Sequence, residues 1–276
     1  MSAKRRISLA HLTVIDADPL QLIDTAAAGG FDSIGLRIVA PMPTDRIVPV
    51  IGDDPLIRRI ENRLRDVGID ILDIEAIWLG PDSDAASYVP AFETGARLGA
   101  KHVLVVGNDP DEARVTDNVA RLCTLAAPFG LKVMLEFIPY CQTGTVEAAH
   151  RVVSRAAQPN AGVLVDALHL SRSGGSPADI RRLDAEWLSY CQICDARPVR
   201  PPQNELRAEA RAGRLYPGEG ALPLTELLDA LPAAIPVGVE APCAKYASLP
   251  PLERGRLCGA ATRAFLERYV RGSAAR

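Results

Sequence analysis

Four helix-like stretches of this chain end alike, on a glycine at a turn into an apolar run: Gly29-Gly30-Phe31, Val67-Gly68-Ile69, Leu98-Gly99-Ala100 and Phe129-Gly130-Leu131. A glycine just past a helix closes it in a left-handed turn and releases the chain into the next strand. The β-rich runs predict eight strands, over 7–11, 33–38, 69–78, 102–106, 132–137, 162–166, 188–194 and 237–240. Between them, amphipathic stretches at 20–28, 55–67, 85–98, 111–127, 146–156 and 222–231 read as helices. Runs such as Gly162-Val163-Leu164-Val165 are nearly continuously apolar, as parallel strands covered by helices are. Strand ends from Trp78 to Gln192 fall roughly 26 to 30 residues apart, the length of a βα repeat.

This pattern predicts a single (β/α)8 TIM barrel spanning residues 1–276 as one domain, with an open doubly wound sheet as the alternative. A dinucleotide-binding reading fails, because Gly29-Gly30 ends a helix and Gly174-Gly175 lacks the third glycine of the phosphate fingerprint. Hydrophobic residues make up 48% and charged residues 24%, and the net charge is −3, which excludes disorder and a nucleic-acid-coating surface. Six cysteines without a charged-then-apolar leader fit a reducing cytoplasm, and no apolar run is long enough to span a membrane. The basic start (1–6) and the polar tail (271–276) read as frayed termini. Cys191 and Cys194 imitate a CxxC motif, but residues three apart on a strand face opposite ways, so they are read as unpaired thiols.

In such a barrel the chemistry lies at the C-terminal ends of the strands. Met134-Leu135-Glu136, Leu164-Val165-Asp166, Tyr190-Cys191-Gln192 and Gly238-Val239-Glu240 put three carboxylates and an amide at four consecutive strand ends. Three carboxylates at one mouth repel unless a cation or a shared proton relieves them, and a divalent metal is the simplest relief. An all-oxygen set favours Mn²⁺ or Mg²⁺, with Co²⁺ or Zn²⁺ also compatible. Only four histidines occur, at 11, 102, 150 and 169, and His169 sits three residues after Asp166, where it can lean over the pocket. Arg37 ends the second strand, while Arg207, Arg211 and Arg214 lie in the long Pro/Arg-rich stretch 196–220, which holds a short helix-like piece at 205–212. Arg37, Arg211 and Arg214 are candidates to bind a substrate anion, and Glu219 is a candidate to support the site. His11 and Trp78 also end strands, as pocket wall or as packing.

Leu135-Glu136-Phe137, Asp166-Ala167-Leu168-His169, Gln192-Ile193-Cys194-Asp195, Pro217-Gly218-Glu219-Gly220 and Val239-Glu240 together resemble the xylose isomerase-like TIM barrel superfamily. That group includes sugar isomerases and epimerases, inosose-handling enzymes, hydroxypyruvate isomerase, 3-dehydroshikimate dehydratases and the endonuclease IV group. The resemblance implies that Glu136, Asp166, Gln192 and Glu240 bind one divalent cation and that His169 lies beside the substrate. Many isomerase and epimerase members carry histidine where this chain has Gln192, and members similar to 3-dehydroshikimate dehydratases carry glutamine there.

The expected function is therefore a metal-dependent isomerase or epimerase that breaks the C–H bond next to a carbonyl, with Glu136, Glu240 and His169 as catalytic residues. A dehydratase-like lyase is the alternative. A non-catalytic barrel and an endonuclease IV-like phosphodiesterase are less favoured, the latter because its multi-zinc site draws on several histidines. The expected partner is a keto-sugar, inosose or dehydroshikimate-like small molecule, with no nucleic acid and no membrane. Related barrels often form dimers or tetramers, so a homo-oligomer is compatible.

Overall fold

The computed structural model describes residues 5–42 and 44–274. Eight parallel strands pair in sequence order and close on themselves: β1 (Ile7–Ala10), β2 (Ser33–Arg37), β3 (Asp70–Leu79), β4 (His102–Gly107), β5 (Lys132–Glu136), β6 (Ala161–Asp166), β7 (Cys191–Ile193) and β8 (Val237–Val239). Closure is made by β1 against β8, with Ile7 opposite Val237 and Leu9 opposite Val239. That pairing rules out the open doubly wound sheet.

The helices follow the strands: α1 (Pro19–Gly29), α2 (Asp54–Val67), α3 (Val89–Arg97), α4 (Glu112–Ala126), α5 (Val146–Ala156), α6 (Ala167–Arg172), α7 (Pro177–Ile180), α8 (Leu206–Ala212), α9 (Leu224–Ala230) and α10 (Pro251–Ala274). Local sequence sets their ends. Asp18 and Gln21 form a capping box at the start of α1, and Asp53 and Asp111 cap α2 and α4. Gly30, Gly68, Gly99 and Gly130 all take positive φ, in accord with the stop signals read from the sequence.

Alternation along each strand divides the core. Val103, Val105, Val133, Leu135, Val163 and Val165 face outward into the layer covered by helices. Leu104, Val106, Met134, Leu164 and Tyr190 form a second, smaller cluster inside the barrel.

Among the boundaries that differ from the sequence expectation, three concern the site and the chain's end. β7 is three residues long rather than seven, because Leu188 and Tyr190 are buried by packing without joining the ladder. Glu240 lies one residue past β8, held there by its N–H donating to Ile193 O at 3.1 Å. The tail expected to fray continues α10 as far as Ala274. At the other end the Arg5 guanidinium donates to the carbonyls of Leu228 and Pro232. Of the residues read as frayed, only 1–4 and 275–276 lie outside the described ones.

Among the described residues no helix is long and apolar enough to cross a membrane.

Candidate active site

Glu136 is the last residue of β5 and Asp166 the last of β6, while Gln192 sits opposite Asp166 in β7. With Glu240 they are almost fully buried at the C-terminal end of the barrel. One oxygen each from Glu136, Asp166 and Glu240 can be chosen so that all three lie within 4.8 Å of one another. Asp166 also caps α6, its Oδ1 accepting the His169 backbone N–H at 2.9 Å. That cap fixes the first turn of α6 and brings His169 Nε2 to 3.9 Å from Glu136 Oε1.

Arg214 enters this cluster from the segment after α8. Its side chain is 1% exposed, and its Nη1 donates to Asp166 Oδ2 at 2.6 Å and its Nη2 to Glu240 Oε2 at 2.8 Å. The guanidinium read from sequence as a substrate anchor is thus placed among the carboxylates, because they are the nearest anions to a charge buried this deeply.

The other candidates are spread out. Arg37 lines the mouth, paired through Nη2 with Glu75 Oε2 at 3.1 Å. Arg211 also lines it and is paired with Asp45 at 3.4 Å, while Arg207 is exposed. Glu219 does not line the mouth. It accepts from the Tyr216 backbone N–H and the Tyr246 hydroxyl, which steadies the Pro217–Gly220 turn. Trp78 is pocket wall, whereas His11 is packing, with its ring bonded to Ala17 O and to the Arg37 backbone N–H. Cys191 and Cys194 are buried and free.

Three residues that the sequence reading left out belong to the surroundings. Glu75 and Asp73 lie buried inside the barrel below the mouth, and Tyr190 donates its hydroxyl proton to Asp73 Oδ2 at 3.1 Å. Both carboxylates face the space over Gly35, where a Cβ would stand 2.4 Å from Glu75 Oε1 and 2.8 Å from Asp73 Oδ1. Tyr140 lines the mouth, edge-on to His169. Two acids inside an apolar strand, Leu72-Asp73-Ile74-Glu75-Ala76, were the available signal for the first pair.

Proton affinities are set by this crowding. Burial, then the negative charges of Glu240 and Asp166, hold Glu136 well above the usual carboxylate range. Burial lifts Glu240 to about 7, with Arg214 opposing and Glu75 adding to the shift. Asp166 moves down: burial opposes its ionisation, but Arg214 and His169 outweigh that. Burial lowers His169 to about 4 against the pull of Asp166, so its imidazole is neutral at pH 7.

The donors decide whether a divalent cation suits this mouth. Glu136 Oε1 and Gln192 Oε1 are buried with no hydrogen-bond partner among the described residues. Such orphans are rare and costly, and a cation would satisfy both. Arg214 occupies one oxygen each of Asp166 and Glu240 and leaves the remaining donors uncommitted to it. An all-oxygen set of three carboxylates and one amide fits a hard or borderline dication.

Residues 23–258 match the family model for the xylose isomerase-like TIM barrel. The chain is 28% identical over 150 residues to an inosose isomerase of Bacillus subtilis, covering 51% of this chain and 52% of that one. It is 28% identical over 236 residues to an inosose isomerase of Halalkalibacterium halodurans, covering 79% and 80%. A 3-dehydroshikimate dehydratase of Pseudomonas aeruginosa is 27% identical over 221 residues, covering 75% of this chain and 33% of that longer protein. The chain thus spans about half the length of the first of these relatives and a third of the dehydratase. In fold it is similar to the crystal structure of IolI protein with a bound zinc atom, at TM-score 0.80 and 22% identity, covering 96% and 99%.

Proposed function

Since the chain belongs to the xylose isomerase-like TIM barrel family, we propose that it is a divalent-cation-dependent isomerase or epimerase acting next to the carbonyl of an uncharged polyhydroxylated ketone or aldehyde. The observation that carries this reading is the pair of orphaned oxygens, Glu136 Oε1 and Gln192 Oε1, buried beside Asp166 and Glu240.

Glu136, Asp166, Gln192 and Glu240 would hold the ion. When bound, it supplies positive charge for the oxyanion that develops as a C–H bond next to a carbonyl breaks. Glu240, lifted to about 7, is poised to take that proton, and the bonding pair moves toward the carbonyl oxygen. Glu136, its proton affinity raised well above the usual carboxylate range by burial, returns a proton from the other side of the mouth, since β5 and β8 stand apart around the barrel. Neutral His169 beside Glu136 orients a substrate hydroxyl. Trp78, Tyr140 and Ile138 wall the mouth with apolar surface and keep bulk water from the reacting carbon.

A dehydratase-like elimination is the second reading, favoured by Gln192 and by the likeness to the Pseudomonas dehydratase. It carries less weight because each guanidinium lining the mouth is already matched to a carboxylate: Arg37 to Glu75, Arg211 to Asp45, and Arg214 to Asp166 and Glu240. Among the described residues no unpaired guanidinium lines the mouth to meet a substrate carboxylate. Six free cysteines fit a reducing compartment, and the cytoplasm belongs to the same proposal.

Proton NMR in D₂O with Mg²⁺ tests the function. An inosose or keto-sugar is expected to exchange the hydrogen next to its carbonyl without loss of water. Glu136→Gln or Glu240→Gln is expected to slow exchange by about 10²-fold or more. Conversion of dehydroshikimate to an aromatic product, with no exchange in any neutral ketone, would overturn the isomerase reading in favour of the lyase.

A further inference from the structure

We infer that Arg214 sets the charge of cation that the mouth accepts. Its guanidinium converts a three-carboxylate site into one of net charge −2, matched to a divalent ion rather than a trivalent one. The inference rests on the proposed cation site and deepens it.

Arg214 is built into the site rather than lying over it. Its Nε donates to Ala210 O at 2.9 Å, and its two Nη atoms are taken by Asp166 and Glu240. The next residue, Leu215, pairs antiparallel with Asp195 through two backbone hydrogen bonds of 2.8 Å. A side chain anchored at its root, its Nε and its fork holds its charge in one place.

The charge count follows from the neighbours. With the carboxylates ionised to hold an ion, Glu136, Asp166 and Glu240 bring three negative charges, and Arg214 brings one positive. Gln192 adds none, His169 turns Nε2 toward the Arg214 Nη2 donor at 3.4 Å and so faces it as an uncharged acceptor, and the nearby Arg37–Glu75 pair cancels internally. A divalent ion makes the total zero, whereas a trivalent ion leaves a buried positive charge. The fork takes Oδ2 of Asp166 and Oε2 of Glu240 and leaves Glu136 Oε1 and Gln192 Oε1 unpartnered, so the guanidinium acts beside the ion's donors and does not replace the ion. At an effective dielectric of about 20, a unit charge about 5 Å away alters affinity about a hundredfold for each unit of charge on the ion. Removing Arg214 therefore favours a trivalent ion over a divalent one.

The test titrates the chelator-stripped protein with Mn²⁺ and with Tb³⁺ in one non-coordinating buffer, for wild type, R214K and R214M. In R214M the ratio Kd(Mn²⁺)/Kd(Tb³⁺) is expected to rise at least about tenfold over wild type. R214K, which keeps the charge, is expected to stay near the wild-type ratio. Should methionine prevent folding among these carboxylates, R214Q keeps a donor without the charge and carries the same expectation. A ratio unchanged in the uncharged variants, with wild type still binding Mn²⁺, overturns the role of Arg214 and leaves the cation site standing. Mn²⁺ binding that appears only after Arg214 is removed contradicts the cation site itself and, with it, this inference.

Discussion

His102 and His169 lie at opposite ends of the barrel, and both are neutral at pH 7 because burial outweighs the groups that would favour their charge. His102 begins β4, its Nδ1 facing Leu72 O at 3.0 Å and its ring centroid 4.8 Å from that of Tyr190. Burial lowers it to about 4, partly opposed by the Leu72 hydrogen bond. Between pH 6.5 and 4 the unfolded chain therefore binds a proton that the folded chain refuses, so this group's contribution to stability falls as pH drops through that window. The loss is of order 3 kcal/mol and is complete below the folded pKa. In H102Q, urea midpoints at pH 7 and pH 4.5 should lie closer together than in wild type, and an equal separation would refute the assignment. At this scale the acids at the ends of β5, β6 and β8 were legible, since each closes an apolar run. Glu75 was not. Register shifts on either side of β3 bring it level with Arg37, and simple alternation counted back from Trp78 gives no warning of them.

Helix packing supplies the next prediction. In α10 a Cβ added at Gly259 would stand 2.0 Å from Gly29 O of α1, and one added at Gly255 would stand 2.4 Å from Thr25 Cγ2. The two helices therefore touch backbone to backbone. Gly259→Ala should cost about 1–3 kcal/mol by overpacking, even though alanine is the better helix former by about 1 kcal/mol. Gly272→Ala on the same helix meets nothing within 4 Å and should be neutral or stabilising. Urea melts of the two variants check the contrast, and equal effects would show that the crossing is not this close. No helix over 251–274 is among the stretches read from the sequence, whereas in the structure Pro251 opens one. The helix at 205–212 was legible from its pattern, but the burial of Arg214 just beyond it was not. Only the folded loop reveals that its nearest anions are Asp166 and Glu240.

For the molecule as a whole, the glycine-ended βα rhythm identified the barrel, and closure was the step that sequence could support only by count. The proposed ion belongs to this scale too, because its four donors would come from three strands and the residue after a fourth, spread over more than a third of the chain from Glu136 to Glu240. A ligand present at a hundredfold over its Kd stabilises the folded state by about 2.7 kcal/mol. Chelation should therefore lower Tm by about 5 °C or more, reversibly on re-addition of the ion. An unchanged Tm would mean that the four donors are held together without it. The most direct measurement is the metal content of protein dialysed against Mn²⁺ or Mg²⁺ and then against ion-free buffer, for wild type and for a variant combining Glu136→Gln with Gln192→Leu. One divalent ion per chain in wild type and almost none in the variant is the predicted result. No stoichiometric ion in wild type, or an ion retained equally by the variant, would contradict a cation site at the ends of these strands.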